Sequence, residues 1–180
     1  MANPSALSAF KRAASLGVST WKAGSLLTYL VDAKESGGSY SLIEAVIRSG
    51  NEPPPHVHSR EDELFYVIDG HFDVFVGDES FQVTSGGCVF MPRAKPHAFI
   101  IRSPRLHVLA LFTPGGIEEA FRVNNVPART LDLPREAVVP ATESPDAPMA
   151  RLLELGVHIL APDEIARQLP LYHQQLTSAP

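Results

Sequence analysis

Three histidines and one glutamate are spaced along the chain so that they could bind one metal ion. His56 and His58 are two residues apart, so in a β-strand both imidazoles point to the same side. Glu63 follows five residues after His58, and His97 begins a later β-type segment. Three neutral imidazoles and one carboxylate suit Fe, Mn, Co, Ni, Cu or Zn better than Ca or Mg. The pattern therefore predicts a site for one divalent transition metal ion per chain, of undetermined identity.

The segment that carries these residues has the pattern of an all-β protein. Between Ser25 and Phe112, short runs rich in β-branched and aromatic residues alternate with turns of Gly, Pro and Asp. The expected strands are LLTYLVDA, SYSLIEAVIR, LFYVI, HFDVFVG, SFQVT, CVFM, HAFII and LHVLALF. Many short strands with closely spaced turns predict an antiparallel sandwich or barrel.

The two flanks differ from this central segment. Residues 1–24 are rich in Ala and Ser and are expected to form an N-terminal arm, while residues 25–115 form the barrel. Residues 116–180 contain three short helical patterns, which begin near Ile117, Met149 and Pro162, and a proline-rich stretch expected to be an extended connector. Helices this short are unstable alone, so we expect them to pack on the barrel or on a second subunit.

Composition excludes several classes of protein. The 180 residues carry a net charge of −5 and no cluster of Lys or Arg, which argues against binding to nucleic acid. A single cysteine, Cys88, excludes an internal disulfide framework and a cysteine-based zinc site. No apolar run is long enough to span a membrane, and the N-terminal residues lack a secretory pattern. We expect a cytoplasmic globular protein.

The motifs around the histidines resemble those of the cupin superfamily. Gly50, His56, His58, Glu63 and Gly70 match every fixed position of the first cupin motif. The resemblance covers about residues 25–115. It implies a jelly-roll β-barrel that holds the metal inside, with short C-terminal helices and an N-terminal arm around it.

The second cupin motif is matched less completely. Gly86, Pro92 and His97 are present, whereas Ala94 replaces a glycine and Ile101 replaces an asparagine. Neither replacement removes a predicted ligand. Ala94 restricts only the backbone of the turn before His97.

A closer similarity is to single-domain cupins related to quercetin 2,3-dioxygenase. It rests on the segment REDELFYV around Glu63, the segment FTPGGIEEAF after the barrel, and a helical tail near LGVHIL. The resemblance implies dioxygen-dependent ring cleavage of a flavonol or another enol-bearing aromatic. It also implies that His56, His58, Glu63 and His97 bind the metal, and that Glu63 accepts the substrate's hydroxyl proton.

Several other residues have interpretations of their own. Strand parity puts Glu61 on the side of Glu63, but the preceding loop breaks that parity, so we expect Glu61 to be exposed. His71 and His107 are expected on an exposed face or in satisfied hydrogen bonds, and Cys88 is expected to be a small buried apolar side chain. The aromatic and aliphatic neighbours of the ligands on the same strand faces are expected to form an apolar wall; they are Phe65, Val67, Phe99 and Ile101.

Two further functions stay open alongside a dioxygenase. One is an isomerase, decarboxylase or hydrolase with a polar substrate, for which Glu44, Arg48 and Arg102 are candidate groups. The other is a cupin that binds a small molecule without catalysis. For any of these we expect a small-molecule partner, aromatic and accompanied by O₂ in the dioxygenase, and a homodimer in which a terminal extension covers an edge strand.

Overall fold

A computed structural model describes residues 7–123, 125–138 and 147–178. The chain folds into two antiparallel sheets that face one another. The larger sheet has seven strands in the order β11-β1-β2-β3-β10-β5-β8, and the smaller has five in the order β12-β4-β9-β6-β7. The strands are β1 Ser19–Lys22, β2 Ser25–Val31, β3 Ser41–Arg48, β4 His56–His58, β5 Asp62–Asp69, β6 His71–Val76, β7 Glu79–Thr84, β8 Cys88–Met91, β9 His97–Ile101, β10 Arg105–Thr113, β11 Val126–Pro127 and β12 Val157–Ile159. The strand pattern predicted an antiparallel sandwich or barrel, and the two sheets confirm it; they are also consistent with the jelly roll that the resemblance to cupins implies.

Alternating burial along the strands creates the core between the sheets. In β3 and β10 every second residue is buried, as a strand with one face on the core requires. The aromatic rings of Phe65, Phe72 and Phe99 meet at the centre, with ring centroids 5.6–6.3 Å apart. The rest of this core is mainly Val, Ile and Leu from both sheets.

A 3-10 helix at Leu16–Val18 and four short α-helices complete the described chain: α1 Glu118–Val123, α2 Ala147–Glu154, α3 Pro162–Gln168 and α4 Pro170–Thr177. Leu169, between α3 and α4, is completely buried with Phe75 and Ala98 of the smaller sheet, and Tyr172 packs beside them. The last two helices therefore cover the outer face of that sheet. The sequence pattern predicted a helix in this region but not the second one, α4.

Both terminal extensions also add strands to the barrel. Strand β1 lies in the stretch expected to be an arm, and it pairs with β2. Strand β12 pairs with β4, so that Val157 lies opposite His58 and Ile159 opposite His56. The predicted connector at 134–148 lies mainly outside the described residues; its described part includes a bridge between Val138 and Ala23.

Candidate metal centre

The four predicted ligands come from both sheets and meet inside the barrel. His56 and His58 lie on β4 and point inward together, as their spacing predicted, and His56 lies opposite His97 in the pairing of β4 with β9. Glu63 reaches them from β5 of the other sheet. All four side chains are buried.

The donor atoms of these side chains converge on one point. The Nε2 atom of His56 lies 3.1 Å from the Nε2 atoms of both His58 and His97. An oxygen of Glu63, Oε2, lies 3.2 Å from Nε2 of His97 and 3.5 Å from Nε2 of His58. One ligand atom from each residue lies within 4.8 Å of the other three. The residues expected to act together are thus brought together.

Contacts on the outer side of the rings determine which nitrogens face inward as acceptors. Nδ1 of His56 lies 2.8 Å from the carbonyl of Pro54, and Nδ1 of His97 lies 3.1 Å from the carbonyl of Lys95. A carbonyl only accepts, so each Nδ1 carries the hydrogen and each Nε2 presents a lone pair to the centre. Lone pairs that face one another beside a carboxylate repel unless a cation lies between them. The donor set therefore fits a bound metal ion.

Burial and the two carboxylates set the ionisation of this cluster. Burial, together with His97 and His58, lowers the pKa of His56 to about 3. Burial alone would also lower the pKa of His58, but Glu61 and Glu63 raise it to about 9. For Glu63, burial would raise the pKa, yet the protonated His58 holds it well below its usual value. A proton on His58 thus supplies positive charge beside two carboxylates where a metal ion would otherwise do so.

The turn before His97 adopts a conformation that usually requires glycine. Ala94, which replaces the motif's glycine, has a φ of 61° in the left-handed region. Its N–H donates a 2.7 Å hydrogen bond to the carbonyl of His58. The turn is thereby attached to β4, and the replacement leaves His97 in position.

A mainly apolar cavity of about 270 Å³ reaches His56, His58 and Glu63. Phe65 and Phe99 contribute to its wall, on the strand faces that alternation predicted. Val67 and Ile101 are buried in the adjacent core. The ring of Phe112 lies 6.1 Å from that of His58 and 5.8 Å from that of Phe121, so aromatic side chains continue the wall away from the ligands.

Two expectations about single residues are wrong. Glu61 is not exposed: it is only 2% accessible, and its Oε2 lies 3.5 Å from Nδ1 of His58. Strand parity had indicated this side, and the short segment between β4 and β5 does not reverse it. Cys88 is exposed rather than buried, because β8 turns Val89 and Met91 toward the core and Cys88 and Phe90 outward.

The candidate groups for a polar substrate lie away from the cavity. Glu44 accepts a 2.7 Å hydrogen bond from His107 on the outer face of the larger sheet. This hydrogen bond also confirms the expectation that His107 has a hydrogen-bond partner. Arg48 donates to the carbonyls of Pro134 and Arg135, and Arg102 pairs with Asp73. Lys22 also lines the cavity, although no sequence pattern indicated it. It lies in the weakly patterned arm, where only the pairing of β1 with β2 gives it a position.

Comparison with known proteins agrees with this site. The family model described as "Cupin domain" matches residues 43–114, which include all four converging residues. The chain is 33% identical over 91 residues to an uncharacterised protein of Streptomyces coelicolor, covering 51% of this chain and 81% of the relative. With this barrel, these motifs and this relative, the chain belongs to the cupin family.

Two more distant similarities were found. Quercetin 2,3-dioxygenase of Bacillus subtilis is 22% identical over 96 residues, covering 53% of this chain and 28% of that protein. An RmlC-like cupin from Shewanella frigidimarina is 19% identical, with a TM-score of 0.48 and coverage of 56% of this chain and 86% of that chain. The similarity to quercetin 2,3-dioxygenase covers about half of this chain and about a quarter of that protein. Among the described residues no helix is both long and apolar enough to cross a membrane.

Proposed function

We propose that the protein is a mononuclear metal-dependent dioxygenase that acts on a flavonol or another enol-bearing aromatic. The observation that carries this proposal is the convergence of three imidazole Nε2 atoms and one carboxylate at an apolar, aromatic-lined cavity. The similarity to quercetin 2,3-dioxygenase supports the reaction class. The substrate partners are a small aromatic molecule and O₂.

In this proposal His56, His58, His97 and Glu63 hold one divalent transition metal ion. When bound, the metal supplies Lewis acidity that lowers the pKa of a substrate hydroxyl. The carbonyls of Pro54 and Lys95 keep the outer nitrogens of two imidazoles protonated, so that their inner nitrogens stay available. These contacts fix the rings without any contribution from the substrate.

Glu63 has a second role in this scheme, as the base that accepts the proton of the substrate hydroxyl. Its Oε2 is buried and has no hydrogen-bond partner among the described residues. A carboxylate that binds a divalent ion is a weak base, so Glu63 would have to turn from the histidines toward the cavity before it accepts the proton. Phe65, Phe99 and Phe112 exclude water from the space where the ionised substrate lies.

The charged residues suggested as contacts for a polar substrate do not line the cavity. Glu44, Arg48 and Arg102 make their contacts outside the cavity. The lining is instead dominated by aromatic and aliphatic side chains, which suit a planar apolar ring. This favours an aromatic substrate over a sugar-like one.

The test combines metal analysis with oxygen consumption. The purified protein is analysed for metals, reloaded in turn with Fe, Mn, Co, Ni, Cu and Zn, and supplied with a panel of flavonols and simpler enols. We expect at least one metal and substrate to consume O₂, with both atoms of ¹⁸O₂ recovered in the product. His56→Ala should abolish uptake, whereas His107→Ala, a histidine on the outer face, should not. A fully metallated protein that consumes no O₂ with any of them would favour a binding function.

A further inference from the structure

Lys22 is the last residue of β1 and lines the cavity that reaches the ligands. Strand pairing, backbone hydrogen bonds and close packing of the following turn fix its position. Lys22 pairs with Ser25 across the turn, and the next residue, Ala23, exchanges two hydrogen bonds of 3.1 and 2.9 Å with Val138. Gly24 packs so closely on Asn51 that a Cβ there would lie 2.5–2.7 Å from the Asn51 side chain. The turn that carries Lys22 is therefore attached to the loop that leads into β4.

The ammonium group of Lys22 has no carboxylate partner within residues 7–123, 125–138 and 147–178. Glu52, which also lines the cavity, instead accepts a 2.9 Å hydrogen bond from the backbone N–H of Ile101. Burial lowers the pKa of Lys22, with no opposing charge to raise it. Nζ of Lys22 instead lies over the face of Phe121, 5.2 Å from the centroid of that ring. The contact with the ring offsets only part of the free energy that the ammonium group loses when it leaves water.

An unbroken aromatic wall joins this ammonium to the metal ligands. Nζ of Lys22 contacts the ring of Phe121, Phe121 lies 5.8 Å from Phe112, and Phe112 lies 6.1 Å from His58. The cavity thus has nitrogen and carboxylate donors at one place on its wall and a cation at another, with ring faces between them. Because Lys22, His58 and Glu63 line the same cavity, one bound molecule could contact both groups.

We propose that Lys22 binds an anionic group of the substrate, and that the substrate is a compact aromatic acid rather than a neutral flavonol. Its hydroxyl would lie at the four ligands and its carboxylate would pair with Lys22. The cavity of about 270 Å³ is small for a ligand pocket, whose usual volume is roughly 300–1,000 Å³, which favours a compact molecule. This inference rests on the proposed function only for the end of the substrate that contacts the metal.

The test compares two probes of nearly the same size and shape, one anionic and one neutral. Calorimetry measures the Kd of 4-hydroxybenzoate and of its neutral amide, 4-hydroxybenzamide, with the wild-type protein in metal-free and Co(II)-loaded forms. A hydrogen bond to a charged group predicts that the wild type binds the acid about 10- to 100-fold more tightly than the amide. Lys22→Met keeps the apolar stem and should remove this preference without changing the affinity for the amide.

Two further variants separate a charge effect from a folding effect. Lys22→Arg retains the charge and should retain most of the preference for the acid. Lys34→Met removes a cation from the exposed loop between β2 and β3 and should behave as the wild type. Thermal unfolding shows whether each variant is folded.

The outcomes distinguish this inference from the proposed function. Equal binding of acid and amide by the wild type, retention of the preference in Lys22→Met, or no binding of the acid at millimolar concentration would each overturn the role of Lys22. A preference for the acid that depends on Lys22 in the metal-free protein, combined with failure to bind metal, would support Lys22 and reject the metal enzyme. Equal binding of acid and amide by a wild-type protein with a fully loaded metal site would reject the role of Lys22 and leave the metal enzyme standing.

Discussion

Oε2 of Glu61 lies 3.5 Å from Nδ1 of His58, and both atoms are buried without a hydrogen-bond partner among the described residues. His56 and His97 have backbone carbonyls at the corresponding nitrogen, so His58 is the histidine of the site that depends on a side chain. A carboxylate behind a metal-binding imidazole orients the ring and makes it a stronger donor. We infer that Glu61 positions His58.

Changing Glu61 to Gln should therefore weaken metal binding. The amide keeps the shape but loses the charge, and loss of such an outer partner typically lowers metal affinity about 10- to 100-fold. Competition with a chromophoric chelator measures the affinity, and the absorption spectrum of the Co(II)-loaded protein should change because the ligand field of His58 changes. Glu79→Gln, an exposed carboxylate at the start of β7, is the matched control. Unchanged affinity and an unchanged spectrum would show that Glu61 has no positioning role.

Changing His56 to Ala should remove stoichiometric metal while the barrel stays folded. The outer nitrogen of His56 contacts only a carbonyl, so its loss leaves no buried carboxylate newly unpaired. Elemental analysis should fall from about one ion per chain to less than about one tenth of that value. Circular dichroism checks the fold. A variant that keeps a full metal complement would contradict the four-residue site.

The role of Glu63 can be divided into binding and proton transfer. Glu63→Gln retains one oxygen donor but cannot act as a base. If Glu63 accepts the substrate proton, the fully metallated variant should turn over a wild-type substrate at least about 100-fold more slowly. If Glu63 is a ligand only, excess metal in the assay should restore the wild-type rate.

Acid should weaken the attachment of the N-terminal segment to the barrel. Arg12 forms two hydrogen bonds with Glu35, and this partner lowers the pKa of Glu35 from 4.5 to about 2. Because the folded-state pKa is the lower one, the stabilisation is complete above pH 4.5 and is lost as the pH falls toward 2. The pair is partly exposed, so Arg12→Ala should lower the Tm at pH 7 by at most ~4 °C and reduce its acid dependence. Lys11→Ala, an exposed neighbour, is the control for the melting experiments.

We expect a homodimer in solution. The outer face of β5 and the edge strand β8 expose three large apolar side chains, Tyr66, Ile68 and Phe90, at 44%, 41% and 55% accessibility. Exposed apolar residues that cluster on one sheet face mark interaction surfaces. Sedimentation at micromolar concentration measures the state, and Phe90→Lys should shift it toward the monomer. A wild-type protein that sediments as a monomer would reject the dimer.

The sequence alone was sufficient for the barrel and for its four converging side chains. Alternation in strands such as β3 and β10 follows from the geometry of a sheet with one buried face, and is therefore visible in the residue order. The spacing of His56 and His58 has the same local origin. Local periodicity could not place helix α4, because its contacts come from segments distant in the chain. Glu61 and Cys88 do follow strand alternation, and the expectations for them were wrong because they set that alternation aside.

Tertiary structure alone determined what surrounds the ligands. His97 lies 41 residues after His56, yet strand pairing places the two imidazoles directly opposite one another. Lys22 comes from a weakly patterned segment and reaches the cavity because β1 pairs with β2 and its turn packs on Asn51. Short-range pattern encodes which residues face inward, because backbone geometry repeats every two residues. The pairing and packing of the strands decide which of the inward-facing residues contact one another. Those contacts join residues distant in sequence, so they form only in the folded chain.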